Sequence, residues 1–258
     1  MDLGIKGKWA IVCASSRGLG RGCAMALARE GVNVVVNGTN AGNVEKTAGE
    51  IRETTGVTVV PVVADVATPE GRQKLLDACP QPDILVNNAG GPPPGDFRDF
   101  THEQWIAALE ANMLAPIELI KATIDGMIER RFGRIVNITS ASVKAPIATL
   151  GMSNGARSGL TGFVAGVARD VARYNVTINN ILPGSFDTDR LRATARSKTD
   201  DDAAIEAIME KRRAEEASGR FGTPDEFGMV CAFLCGAGAG YITRQNILLD
   251  GGSYPGTF

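Results

Sequence analysis

Residues 13–22, CASSRGLGRG, constrain this chain more than any other stretch. They follow a short apolar run, WAIVCA at 9–14, and lead into a helical pattern at 18–30. Gly18 and Gly20 let the backbone turn sharply and come close to a ligand. The first N–H groups of the helix have no partner within it and favour an anion. The turn is therefore expected to cradle a phosphate, with Ser15, Ser16, Arg17, Gly18, Leu19 and Gly20 as its lining.

The rest of the chain repeats the strand-then-helix order. Apolar runs at 9–14, 32–37, 57–63, 83–88, 134–140, 176–183 and 246–250 read as strands. Their near-continuous hydrophobicity suits strands covered on both faces, which means a parallel sheet. Helical patterns fall at 18–30, 43–55, 69–78, 102–130, 152–174 and 224–235. Thr101 with Gln104 forms a capping box, and Thr223-Pro224-Asp225-Glu226 reads as another helix start. The expected architecture is one doubly wound α/β (Rossmann) domain over 1–258 with a seven-stranded parallel sheet. The stretch 185–220 is the least regular. Its acidic 200–202 and basic 211–213 match the two ends of a helix, and the whole stretch is a candidate lid over a substrate.

Bulk properties exclude several classes. The chain has 258 residues, 44% of them hydrophobic and 22% charged, with a net charge of −2. That is ordinary globular composition, with no basic surplus for nucleic acid or an anionic membrane. No apolar run reaches the ~18 residues of a membrane span, and the N-terminus has no signal-peptide pattern, so a cytoplasmic protein is expected. The five cysteines, Cys13, Cys23, Cys79, Cys231 and Cys235, form no CxxC and read as buried reduced thiols.

Further motifs stand in a telling order: Asp65-Val66 after the third strand, NNAG at 87–90, Asn112, Ser140, Pro183-Gly184 with Thr188, and Asp250-Gly251-Gly252. With the glycine turn, they make the chain resemble the short-chain dehydrogenase/reductase family over nearly its whole length. The nearest general likeness is to 3-oxoacyl-carrier-protein reductases. Two positions of the family's TGxxxGxG turn differ, Cys13 for threonine and Ala14 for glycine. The resemblance implies a nicotinamide dinucleotide bound by the turn, Gly38, Thr39, Asp65, Val66, Asn88, Ala89, Gly90, Pro183, Gly184 and Thr188. It also implies hydride exchange with a small carbonyl or alcohol and a homotetramer paired through the helices at 102–130 and 152–174.

Cofactor choice has a physical argument of its own. An NAD site places an acid after the second strand to bind the ribose 2′-hydroxyl. Here Gly38 holds that place, so no carboxylate repels a 2′-phosphate, and Arg17 can reach one. NADP(H) is the expected cofactor.

The catalytic end departs from the family. Ser140 and Asn112 match its serine and asparagine, but the tyrosine and the lysine four positions later fall on Ser153 and Arg157. A serine hydroxyl is shorter and a weaker acid than a phenol of pKa ~10. Arg157 keeps the charge and can hold the ribose, but does not relay protons. Lys144, four residues beyond Ser140, is an alternative acid if it loses water, and Tyr254 in the C-terminal tail is another. His102 opens a helix and reads as a surface residue. The prolines at 92–94, with Phe97, read as a stiff wall beside the substrate. Three functions stay open: an oxidoreductase, a lyase or aldolase on the same scaffold, and a cofactor-binding protein without turnover.

Overall fold

The computed structural model describes residues 2–196 and 199–257. Seven strands form one sheet: β1 (Trp9–Val12), β2 (Asn33–Gly38), β3 (Val59–Val63), β4 (Ile84–Asn87), β5 (Gly133–Ile138), β6 (Val176–Pro183) and β7 (Asn246–Leu249). Every pairing is parallel, in the order β3-β2-β1-β4-β5-β6-β7. The chain builds outward from β1 to β3, then crosses back to lay β4 on the other side of β1. That reversal opens a crevice at the carboxyl ends of β1 and β4, where folds of this kind bind ligands.

Alternate strand residues feed two cores, one on each face of the sheet. Ala10, Val12, Val34, Val36 and Val86 pack against α1 (Gly18–Arg29), α2 (Ala41–Thr55) and α9 (Pro224–Cys235). Ile11, Val35, Leu85, Ile135 and Ile178 pack against α3 (Pro69–Ala78), α5 (Ala115–Glu129) and α6 (Gly151–Val171). Burial on both faces explains why the strands read as unbroken apolar runs. One polar line crosses the second half of the sheet. Asn87, Asn137, Asn180 and Asn246 stand in register on β4 to β7, and each of the first three donates its side-chain amide to the next, at 2.9, 3.0 and 2.8 Å.

Two stretches differ from the sequence expectation. The single helix expected at 102–130 is α4 (His102–Leu109), a π-helical turn (Glu110–Leu114) and α5. Pro116 has no N–H to donate and its ring crowds the turn before it. The ladder slips instead, and Ala115 donates to the Glu110 carbonyl five residues back. The irregular stretch at 185–220 holds two helices, α7 (Asp189–Arg196) and α8 (Asp202–Glu215), around a small core of Ala195, Ile205, Met209 and Phe221. Residues 197 and 198 of that stretch lie outside the described residues.

The expected capping box at Thr101 is present, and the helix start expected at 223–226 also closes a capping box, between Thr223 and Glu226. All five cysteines are free and buried. Among the described residues no helix is long and apolar enough to cross a membrane.

Candidate active site

The turn between β1 and α1 is shaped by contacts on every side. Ser15 is buried, donates to the Val12 carbonyl at 2.6 Å and accepts from the Asn37 amide at 2.9 Å, which ties the turn to β2. Ala14 has a φ of 45°. Left-handed backbone costs a non-glycine residue roughly 1–2 kcal/mol, so this alanine carries strain where glycine is the ordinary choice. Gly20 is required by close approach. A Cβ there would lie 2.4 Å from the Ala14 oxygen and 2.9 Å from Asn88 Nδ2, which itself donates to that oxygen at 3.2 Å. Arg17 precedes α1 in an extended conformation and provides no side-chain cap, and the first turn carries no acid. The leading N–H groups of α1 are thus left for an outside anion, and the cradle fits a diphosphate.

The far end of the cradle is basic. A cleft of about 410 Å³ is lined by Ser16, Arg17, Asn43, Lys46, Thr47 and Asp189, together with the Arg21–Glu50 ion pair at 2.8 Å. Arg17 and Lys46 are exposed there. Lys46 and Asn43 were not expected from the sequence. They lie one turn inside α2, and only the packing of that helix against the glycine turn brings them to Arg17. Thr47 fixes this packing by donating to the Ser16 carbonyl at 2.8 Å. Gly38 lies directly under Ser16, for a Cβ at 38 would stand 2.5 Å from Ser16 Oγ. Thr39 is exposed just beyond it, and Asp65 is exposed at the end of β3 with Oδ1 accepting from the Ala67 amide at 2.9 Å. Val66 is buried beside it.

The remaining expected cofactor residues gather at the same edge of the sheet. The Gly90 carbonyl, next to Ala89, accepts from Asn112 Nδ2 at 3.3 Å. Gly184 follows Pro183 and donates to the Leu249 carbonyl at 2.8 Å. Thr188 Cγ2 lies 3.7 Å from where a Cβ on Gly18 would be. The start of the expected lid therefore lies against the phosphate turn, though 170 residues separate the two in sequence.

The catalytic candidates fall into two groups. Ser153 and Arg157 share the inward face of α6, and both are buried. Arg157 donates from Nε to Ser153 Oγ at 3.2 Å and from Nη1 to the Ile138 carbonyl at 2.7 Å. Ile138 ends β5 two residues before Ser140, so the guanidinium sits at the strand end that carries the serine. Burial, and then the charge of Arg190, push Arg157 down to about 10, which leaves it protonated at neutral pH. Ser140 is half-buried and its Oγ accepts from the Ser142 amide at 3.1 Å. Asn112 lies in the π-helical turn, buried, and its Oδ1 has no hydrogen-bond partner. Lys144 is half-buried, with Nζ 5.8 Å from the centre of the Tyr254 ring. His102 is exposed in the first turn of α4.

A parallel sheet that reverses at β1, with a glycine cradle and an uncapped helix at the reversal, defines a dinucleotide-binding protein of the doubly wound α/β class. Residues 13–254 match the family described as Enoyl-(Acyl carrier protein) reductase. The chain belongs to the short-chain dehydrogenase/reductase family of oxidoreductases. It is 33% identical to the 3-oxoacyl-[acyl-carrier-protein] reductase FabG of Pseudomonas aeruginosa, over 98% of this chain and 99% of that protein. Its fold matches that of L-sorbose reductase from Gluconobacter frateurii, solved with NADPH and L-sorbose. The TM-score is 0.93 at 29% identity, covering 99% of this chain and 100% of the other. A 3-oxoacyl (acyl-carrier-protein) reductase from Agrobacterium tumefaciens with NADP bound matches at a TM-score of 0.87 and 27% identity, over 97% and 95% of the two chains.

Proposed function

We propose that this chain is an NADP(H)-dependent oxidoreductase of small carbonyl or alcohol substrates, working with an altered acid–base site. The contact of Ser16 on Gly38 carries the cofactor choice. An acid at 38 would have to displace the Ser16 side chain, so the ribose 2′ position meets no carboxylate there. It faces a cleft where Arg21 and Glu50 pair with each other, and Arg17 and Lys46 outnumber Asp189. The NADPH and NADP held by the two solved relatives support the same reading.

NADPH, when bound, would supply a hydride to a carbonyl carbon, whose oxygen would then need a proton from this chain's residues. Ser140 is the donor that polarises that carbonyl. Arg157 holds the nicotinamide ribose and keeps its charge, while Ser153, already accepting from Arg157, takes the place of a phenol it cannot match as an acid. The setting proposed is a cytoplasmic homotetramer, which the five free, buried thiols and the open helix faces support.

Calorimetric titration tests the cofactor reading. NADPH should bind roughly 10-fold or more tighter than NADH, about the worth of one charge-assisted contact. Arg17→Ala should weaken NADPH more than NADH. Equal or reversed affinities overturn the choice. Product formed without net oxidation or reduction of the cofactor would replace the oxidoreductase with a lyase on the same scaffold.

A further inference from the structure

Two guanidinium groups converge at the carboxyl ends of β4 and β5, and no carboxylate pairs with either among the described residues. Arg157 spends Nε and Nη1 on Ser153 and the Ile138 carbonyl, and its Nη2 has no hydrogen-bond partner among the described residues. Arg190 comes from the opposite side. It is the second residue of α7, exposed, and it donates from Nη1 to the Gly91 carbonyl at 2.9 Å and from Nη2 to the Pro92 carbonyl at 3.1 Å. A Cβ at 91 would lie 2.7 Å from Arg190 Nη2, so glycine is what lets the head settle there.

The two heads stand over neighbouring strand ends. Gly91 follows β4 a few residues after Asn87, and Asn87 pairs with Asn137, the residue before Ile138. Arg190 is near enough for its charge to depress Arg157 further. Two cations brought together without an acid repel each other, and an anion between them would relieve that repulsion. In the function proposed above, the cofactor's phosphates go to the α1 N-terminus and to the cleft lined by Arg17 and Lys46. The unmatched charge therefore falls at the substrate end.

We propose that Arg190, backed by Arg157, binds a carboxylate on the substrate, so that the protein acts on an oxo acid or the corresponding hydroxy acid. The proposal rests on the carbonyl or alcohol substrate argued above and adds the charged group beside it. A guanidinium fork matches a carboxylate with two parallel hydrogen bonds, which are stronger than its bonds to the neutral Gly91 and Pro92 carbonyls. Arg190 begins α7 and Arg157 lies on α6, so a carboxylate on the Arg190 fork sits in the field of Arg157, whose own hydrogen bonds stay with Ser153, the Ile138 carbonyl and the ribose.

Calorimetry with pyruvate and with benzoylformate, each against its methyl ester, tests this on the natural protein with and without NADPH. Acid and ester share the carbonyl and differ in charge. The acids should bind about 10-fold or more tighter than the esters. Arg190→Met should erase that preference, Arg190→Lys should keep part of it, and NADPH affinity should change little in either variant. Equal affinity of acid and ester overturns the proposal, as does an acid that fails to bind in the millimolar range. A loss of NADPH affinity in Arg190→Met matching the loss of acid binding assigns the arginine to the cofactor's diphosphate instead. The acid–ester comparison on cofactor-free natural protein decides the matter even if the variants fold poorly. It needs no turnover and no NADPH, so a failure of the proposed redox function shows separately.

Discussion

At the scale of single residues, the proposed function makes the Ser153–Arg157 pair the limit on what the protein can do to a ketone. Ser153 Oγ is held by Arg157 Nε, and Arg157 is held by the Ile138 carbonyl. Neither group offers a proton with the ease of a phenol beside an ammonium. A positioned general acid is worth ~10²–10⁴-fold in rate, so the natural protein should reduce ordinary ketones slowly. The double change Ser153→Tyr with Arg157→Lys should raise reduction of activated ketones by about 10² or more. Each single change should do less, because the phenol needs the nearby lysine to lower its pKa. Single-turnover oxidation of NADPH by the four proteins checks this. Brisk reduction by the natural protein, lost in Lys144→Ala and unchanged in Ser153→Ala, would move the acid to Lys144.

At the scale of elements, the start of helix α9 joins a short sequence signal to an ion pair. Glu226 closes the capping box by accepting from the Thr223 amide at 2.8 Å, and it pairs with Arg220 through both oxygens at 2.6 and 2.9 Å. Arg220, then Thr223, lower the Glu226 carboxyl to about 2 from an ordinary 4.5. A carboxyl whose folded pKa is depressed stabilises the fold above its unfolded value and loses that contribution as pH falls through the folded one. The Glu226 contribution is thus complete above about pH 4.5 and fades towards pH 2. Glu226→Gln should be less stable than the natural protein at neutral pH, with the gap closing over that window. Thermal melts from pH 7 to pH 2 check it, and parallel curves refute it.

At the scale of the whole molecule, the surface leaves apolar residues on separate faces. Ile106 and Leu114 are exposed on α4 and the turn after it. On α6, a Cβ added to Gly162 or Gly166 would meet no atom within 4 Å, so that stretch of the helix is open to a close neighbour. Met229 and Phe233 are exposed on α9, and Tyr241 is fully exposed shortly before β7. Two such faces, if each met its own copy, would build the proposed closed tetramer around crossed two-fold axes. Light scattering at micromolar concentration should give a tetramer mass, and a monomer would refute it. Arginine at both 162 and 166 should leave a smaller assembly.

The sequence by itself determined the order of the fold. Unbroken apolar strands, the glycine turn between β1 and α1, and the box residues Thr101–Gln104 and Thr223–Glu226 are local features, set by backbone geometry and burial within a few residues. The i,i+4 spacing of Ser153 and Arg157 already put both on one face of α6. The tertiary structure decided what lies far apart in the chain. Thr188 against Gly18, Lys46 beside Arg17 and Arg190 on the Gly91 carbonyl are contacts made by packing of whole elements, and no periodicity encodes them. It also decided the π-helical turn at Asn112, where the cost of Pro116 was relieved by a slipped ladder rather than a broken helix. Charge follows the same division. The sequence shows that Arg157 is a cation, whereas its burial and its nearness to Arg190 exist only once the fold has brought β5, α6 and α7 together.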